Sequence, residues 1–191
     1  MTNIVEKTGL RPARQLNGSP FINAQNRYRI AANNSTAIFQ GDVVQPLTSG
    51  TITRGIANTS TAVVGVFNGC FYTDPTTQKP TWKNYYPGSI NASDITAFVI
   101  DGPDTVFEVD ANGTFAVADL FQNYSLTNVT GSTLSGISQV QLDVSNSGVA
   151  STFLVQAIDI SGSPVNSDVS SNNLNVLVRI SNHFYKQQTG I

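Results

Sequence analysis

The chain has 191 residues, 40% of them apolar, and a net charge of −2, a composition that supports one β domain with a substantial core. Its single cysteine excludes an internal disulfide, and its single histidine excludes a His-based triad or a multi-His metal site. Charged residues make up 12% of the chain, about half the usual share, so hydroxyls and amides rather than ions solvate its surface.

The charge is unevenly placed. Lys7, Arg11, Arg14, Arg27 and Arg29 stand against Glu6 alone near the start, whereas residues 84–178 carry no Lys or Arg. Asp94, Asp101, Asp104, Glu108, Asp110, Asp119, Asp143, Asp159 and Asp168 all fall in that acidic stretch. Such asymmetry suits a basic segment docking on an acidic partner or on the acidic body of a neighbouring copy. An acidic body repels phosphates, so nucleic acid is not expected as a partner. No apolar run is long enough to span a bilayer, so no membrane partner is expected, and residues 1–9 lack the apolar core of a signal peptide.

In chain order, residues 1–26 read as an extended arm. Gly9, Pro12, Gly18 and Pro20 punctuate it, and neither the helical nor the strand period is present. Leu10, Leu16, Phe21 and Ile22 are more apolar anchors than a solvated tail needs, so the arm is expected to lie across a surface. Strand signals follow at residues 28–31, 37–39, 42–45 and 52–54, with Pro46 as a stop.

Residues 63–88 read as the central hairpin. An apolar run over 63–72 enters a turn-rich patch at 73–80, and the chain returns through Trp82, Tyr85 and Tyr86 to Pro87-Gly88. Cys70 lies in the apolar half and is expected as a buried, inert thiol. Trp82, Tyr85 and Tyr86, beside Lys79, Lys83 and Asn84, are expected to form a partly exposed aromatic ridge of the kind that anchors interfaces.

Residues 95–100 predict another strand. Residues 106–111 and 114–117 flank Asn112-Gly113, the strongest short signal for a type I′ hairpin. One helical turn is expected at 118–121, a polar loop at 122–138, strands at 139–144 and 153–160, and a second polar loop at 161–173. A last strand is expected at 175–181, before a polar tail from His183. Short strands with turns every 8–12 residues indicate an all-β, antiparallel sandwich or barrel, with a jelly-roll-like winding favoured. The division expected is an N-terminal arm, 1–26, and a single β domain, 27–191.

Candidate chemistry is thin. Asp101 or Asp104 with Glu108 could form a carboxylate pair, but Asp101-Gly102-Pro103-Asp104 is turn chemistry and Glu108 alternates outward. Asp110 and Asn112 begin a calcium-loop pattern that lacks its later bidentate Glu. No cofactor, no metal and no enzymatic activity is expected.

Taken together, Gly9–Phe21 (GLRPARQLNGSPF), Arg27–Ala31 (RYRIA), Gln40–Val44 (QGDVV), Val64–Asp74 (VGVFNGCFYTD) and Tyr85–Gly88 (YYPG) resemble the capsid cement, or decoration, proteins of short-tailed bacteriophages, including cyanophages. The resemblance covers the first half of the chain, extends to the Asp101–Glu108 region and has no specific signature beyond Gln122. It implies a non-enzymatic virion protein, made in the host cytoplasm, that binds the outer surface of the phage head as a homo-dimer or homo-trimer. There it bridges neighbouring major capsid protein subunits against DNA pressure. On this reading Arg11, Arg14, Arg27 and Arg29 meet acidic groups while Leu10, Leu16 and Phe21 fill shallow pockets, with Trp82, Tyr85 and Tyr86 at a contact. A tail- or fibre-associated carbohydrate-binding module is the alternative.

Overall fold

The computed structural model describes residues 2–55, 61–150 and 153–186. Among them the strands are, in chain order, β1 (Arg11–Gln15), β2 (Asn26–Arg29), β3 (Val43–Pro46), β4 (Ile52–Arg54), β5 (Gly65–Thr73), β6 (Pro80–Lys83), β7 (Thr96–Ile100), β8 (Thr105–Asp110), β9 (Asn123–Leu126), β10 (Leu142–Gly148), β11 (Val155–Ile160) and β12 (Asn175–Ile180). They form two antiparallel sheets in a sandwich-like, all-β arrangement. Sheet I runs β1-β8-β12-β11-β9-β10; sheet II runs β2-β7-β5-β3-β4, with β6 also paired to β5.

Period-2 alternation builds the core of sheet I. Phe107 and Val109 of β8 stand opposite Val178 and Val176 of β12, and all four are buried in one cluster with Val155 and Ala157. Glu108, between them, points the other way. Sheet II obeys the same rule with one interruption. A bulge between Phe67 and Gly69 inserts a residue into β5, so Phe67, Cys70 and Tyr72 all reach the inner cluster with Ala97 and Val99. The opposite face of sheet II divides in two. At one end Val43, Val66 and Ile100 pack into the cluster of sheet I; at the other end the face is open.

The expected central hairpin is present as β5 and β6, with Cys70 buried. The strands expected at 28–31, 42–45, 52–54, 95–100, 153–160 and 175–181 appear as β2, β3, β4, β7, β11 and β12 within a few residues. Residues 187–191 of the expected tail, and Met1 of the expected arm, lie outside the described residues.

Four expectations are corrected. The arm is extended, but it lies on its own body. β1 pairs with β8 at the edge of sheet I, Leu10 is 1% exposed, and its N–H donates to the Gly41 carbonyl at 3.0 Å. Gly9 and Gly41 make that approach possible. Both have positive φ, and a Cβ on Gly41 would stand 2.6 Å from the Thr8 carbonyl oxygen. Further upstream, Ile4 and the Asn166 side chain exchange two hydrogen bonds of 2.8 and 2.9 Å.

The Asn112-Gly113 hairpin does not form. Both edges of β8 are already taken, by β1 and β12, and neither Asn112 nor Gly113 adopts the positive φ that a type I′ turn needs. Asn112 instead accepts from the Val144 N–H at 3.0 Å and donates to Asp143 at 3.2 Å, tying this corner to β10. Residues 122–138 are not all loop, since β9 lies there with Tyr124, Ser125 and Leu126 buried. The strand expected at 139–144 begins at Leu142 and continues to Gly148.

A buried ion pair fixes the corner between β3 and β4. Asp42 accepts from Arg54 Nε at 3.0 Å, Ser138 Oγ at 2.6 Å and the Phe39 N–H at 2.9 Å. Burial pushes its carboxyl above the usual carboxylate range, against the opposing pull of the Arg54 guanidinium.

Candidate functional site: the open face of sheet II

Residues that are direct partners on neighbouring strands share a face, so the register lays out the open end of sheet II row by row. One row runs Arg29, Thr96, Phe71, Trp82; the next runs Arg27, Phe98, Gly69. Alternation dictates this placement: Tyr28, Ala97, Cys70 and Tyr72 are the inward neighbours of these residues. Trp82 is 58% exposed and Phe71 39%. The Arg27 guanidinium lies 5.7 Å from the centre of the Phe98 ring, within cation–π range.

Gly69 explains how a Trp lies on this face. Its φ is +133°, and a Cβ there would come within 2.9 Å of Trp82 Cζ2 and 3.1 Å of the Lys83 carbonyl oxygen. The bulge and the missing side chain together open a bed into which the indole settles. Neither Arg27 nor Arg29 has an ion-pair partner among the described residues. Asp94, a carboxylate at this rim, is taken by the Thr73 N–H and hydroxyl, which hold it below its ordinary range.

At its inner end the open face runs into a groove of about 260 Å³. Leu10, Val66 and Ile100 give it apolar lining, and Thr8, Arg11, Pro12, Gln40, Asn68 and Ile137 are among its other walls. Side-chain amides link the two regions: Gln40 Nε2 donates to Asn68 Oδ1 at 2.9 Å, and Asn68 Nδ2 to Gln25 Oε1 at 2.8 Å.

Of the residues singled out from sequence, this face brings together Arg27, Arg29 and Trp82. Leu10 and Tyr86 are corrected to core residues. Leu10 serves the cluster of sheet I, and Tyr86 is 0% exposed, with its hydroxyl donating to the Asn34 carbonyl at 3.0 Å. Phe21 is partly buried against the cluster of sheet I. Tyr85 stacks on Phe39, with ring centres 5.5 Å apart and planes within 2°. Arg11 and Arg14 stand on β1, outside the aromatic rows; Arg11, at the groove wall, bridges Glu108 at 3.2 Å and Glu6 at 3.4 Å. Leu16 is exposed at the end of β1. Phe71, Phe98, Gly69 and Asn68 were missed. A glycine inside an apolar strand run is the signal that marks such a bulge.

The carboxylates weighed for catalysis have structural partners. Glu108 accepts from Ser161 at 2.6 Å and Asn175 at 3.0 Å. Asp101 accepts from Asn26 at 2.9 Å and Tyr28 at 2.5 Å, and Asp104 pairs with Lys186 at 3.2 Å. Asp110 takes Gln141 at 2.8 Å while Asn112 faces β10, so the two do not converge. Burial pushes the Cys70 thiol up to about 12, which leaves it protonated. Among the described residues, no three His, Cys, Asp or Glu side chains gather as a metal site. The chain matches no protein-family model, no curated protein and no solved structure.

Proposed function

We propose that this chain is a non-enzymatic structural virion protein that binds the outer surface of a phage head and bridges neighbouring major capsid protein subunits. The observation that carries the reading is the open face of sheet II: aromatic, cationic without internal counter-ions, and held on rigid strands. Aromatic and Arg side chains on a fixed backbone are the favoured anchors of protein interfaces. The resemblance of residues 9–88 to capsid cement proteins supplies the identity of the partner, and the body is a homo-dimer or homo-trimer on the shell. On a shell of many identical copies, modest contacts add through avidity. The finer fold expectation, jelly-roll winding, draws support only from the presence of two sheets. The local hairpins β3–β4, β5–β6, β9–β10 and β11–β12 favour a sandwich rich in sequential pairings.

Immunogold labelling of intact particles tests the assignment. Label over the head shell is the expected result. Label confined to the tail, with binding to isolated glycans, selects the carbohydrate-binding alternative.

A further inference from the structure

We infer that the open face and the groove at its inner end form one docking track for an extended, acidic segment of a partner protein, with an apolar anchor at one end of that segment. This deepens the attachment role proposed above and rests on it. Successive outward positions on β5 and β7 run from Val66 and Ile100 in the groove, through Gly69 and Phe98, to Phe71 and Thr96. Arg27 stands in the second row and Arg29 in the third. Rows along one face of a strand are two residues apart. A partner segment lying along the track therefore meets the groove at one position, Arg27 two residues on and Arg29 four residues on.

Each row specifies a chemistry. At about 260 Å³ the groove is smaller than the roughly 300–1,000 Å³ of small-molecule pockets, and its apolar walls, Pro12 and Ile137 over a floor of the buried Leu10, Val66 and Ile100, suit a single aliphatic or aromatic side chain. The amides of Gln40, Asn68 and Gln25 lie between groove and aromatics, and such groups both donate to and accept from a peptide backbone. Arg27 and Arg29, with no ion-pair partner among the described residues, call for carboxylates, which guanidinium groups bind through paired hydrogen bonds. Arg11 at the groove wall is already engaged by Glu6 and Glu108, so it adds no further demand for charge. A recess beside a raised aromatic row fits a protruding segment better than a flat surface.

Trp82 is the only tryptophan, which makes the face its own reporter. The probe is an acetylated, amidated pentapeptide with leucine first, glutamate third and fifth, and serine between. A saturable blue shift of Trp82 emission is expected. The affinity should fall about tenfold or more with glutamine in place of glutamate, with alanine in place of leucine, or in an Ile137→Phe variant that narrows the groove without adding a second indole. Thr8→Phe serves if Ile137→Phe misfolds. Three results would overturn the inference: no saturable shift up to about 1 mM peptide, equal binding of the neutral peptide, or a shift produced by a neutral oligosaccharide and not by the peptide. If Arg27→Glu with Arg29→Glu abolishes head binding while the peptide never binds, the attachment role stands and the segment proposal falls. If the peptide binds and the protein does not bind heads, the segment proposal stands and the attachment role falls.

Discussion

Replacing Gly69 with alanine tests how the open face is built. The added Cβ would stand 2.9 Å from Trp82 Cζ2, 3.4 Å from Cε2 and 3.1 Å from the Lys83 carbonyl oxygen. Comfortable carbon–carbon contacts are about 3.5–4.0 Å, so the indole must shift by several tenths of an ångström or lift away. The Lys83 oxygen belongs to the paired strand and cannot retreat without breaking the β5–β6 ladder. Independently, φ of +133° is a conformation that side chains rarely adopt, and holding alanine there costs about 1–3 kcal/mol. At roughly 2–4 °C per kcal/mol for a domain of this size, the midpoint should fall by about 2–12 °C. Thermal melts followed by circular dichroism read the fold, and Trp82 emission, shifting toward that of a fully solvated indole, reads the ring. Gly162→Ala is the control, since it has open space and an ordinary φ and should leave both signals almost unchanged. Unchanged melting and unchanged emission for Gly69→Ala would show that the indole does not rest on this backbone, and the argument for a built face would fail.

Other perturbations reach the rest of the account. Deleting residues 1–26 removes Leu10 from the core and strips β1 from β8, so the truncated chain should lose its cooperative thermal transition; a folded truncate would show that the arm is dispensable to the body. Asp42→Ala leaves the buried Ser138 hydroxyl and Phe39 N–H without their acceptor and the largely buried Arg54 held only by Asn128 and the Val129 carbonyl; it should cost about 3 kcal/mol in denaturant unfolding, whereas an exposed ion pair would cost under about 1 kcal/mol. His183 is buried, and burial, reinforced by Lys186 and opposed by Asp101 and Asp104, holds its pKa below the ordinary 6.5. Its contribution to stability is therefore fully present above 6.5 and is lost as the pH falls from there toward the depressed folded value. Asp42 and Asp110, raised by burial, titrate with the opposite sign, so the test is the difference between wild type and His183→Asn. That difference should shrink below pH 6.5; a difference independent of pH would refute the assignment.

What could be read from the sequence followed the range of the forces involved. Runs of β-branched and aromatic residues bounded by turn signals were enough to find β5, β7, β11 and β12, because Val, Ile and Phe favour a packed strand. The Asn112-Gly113 signal failed because turn chemistry is local while strand pairing is not: β1, almost a hundred residues upstream, occupies the edge the hairpin needed. β9 (NYSL) was hidden because its neighbours supply the burial that its own composition does not announce. At the candidate site, Arg27, Arg29 and Trp82 were visible as residue types, but their shared face was not. It depends on the Phe67–Gly69 bulge, which shifts β5 by one residue and turns Phe71 outward. Leu10 and Tyr86 looked like anchors for a partner, and the nearest apolar surface proved to be their own core.

The central claim, that the open face of sheet II attaches the protein to a head shell, is tested most directly by co-sedimentation with purified heads lacking this protein. Wild-type protein should saturate the heads at a fixed ratio to capsid subunits. The Arg27→Glu, Arg29→Glu, Trp82→Ala triple variant, melting as a folded protein, should remain in the supernatant. Saturation of the heads by that variant at the wild-type ratio would contradict the account.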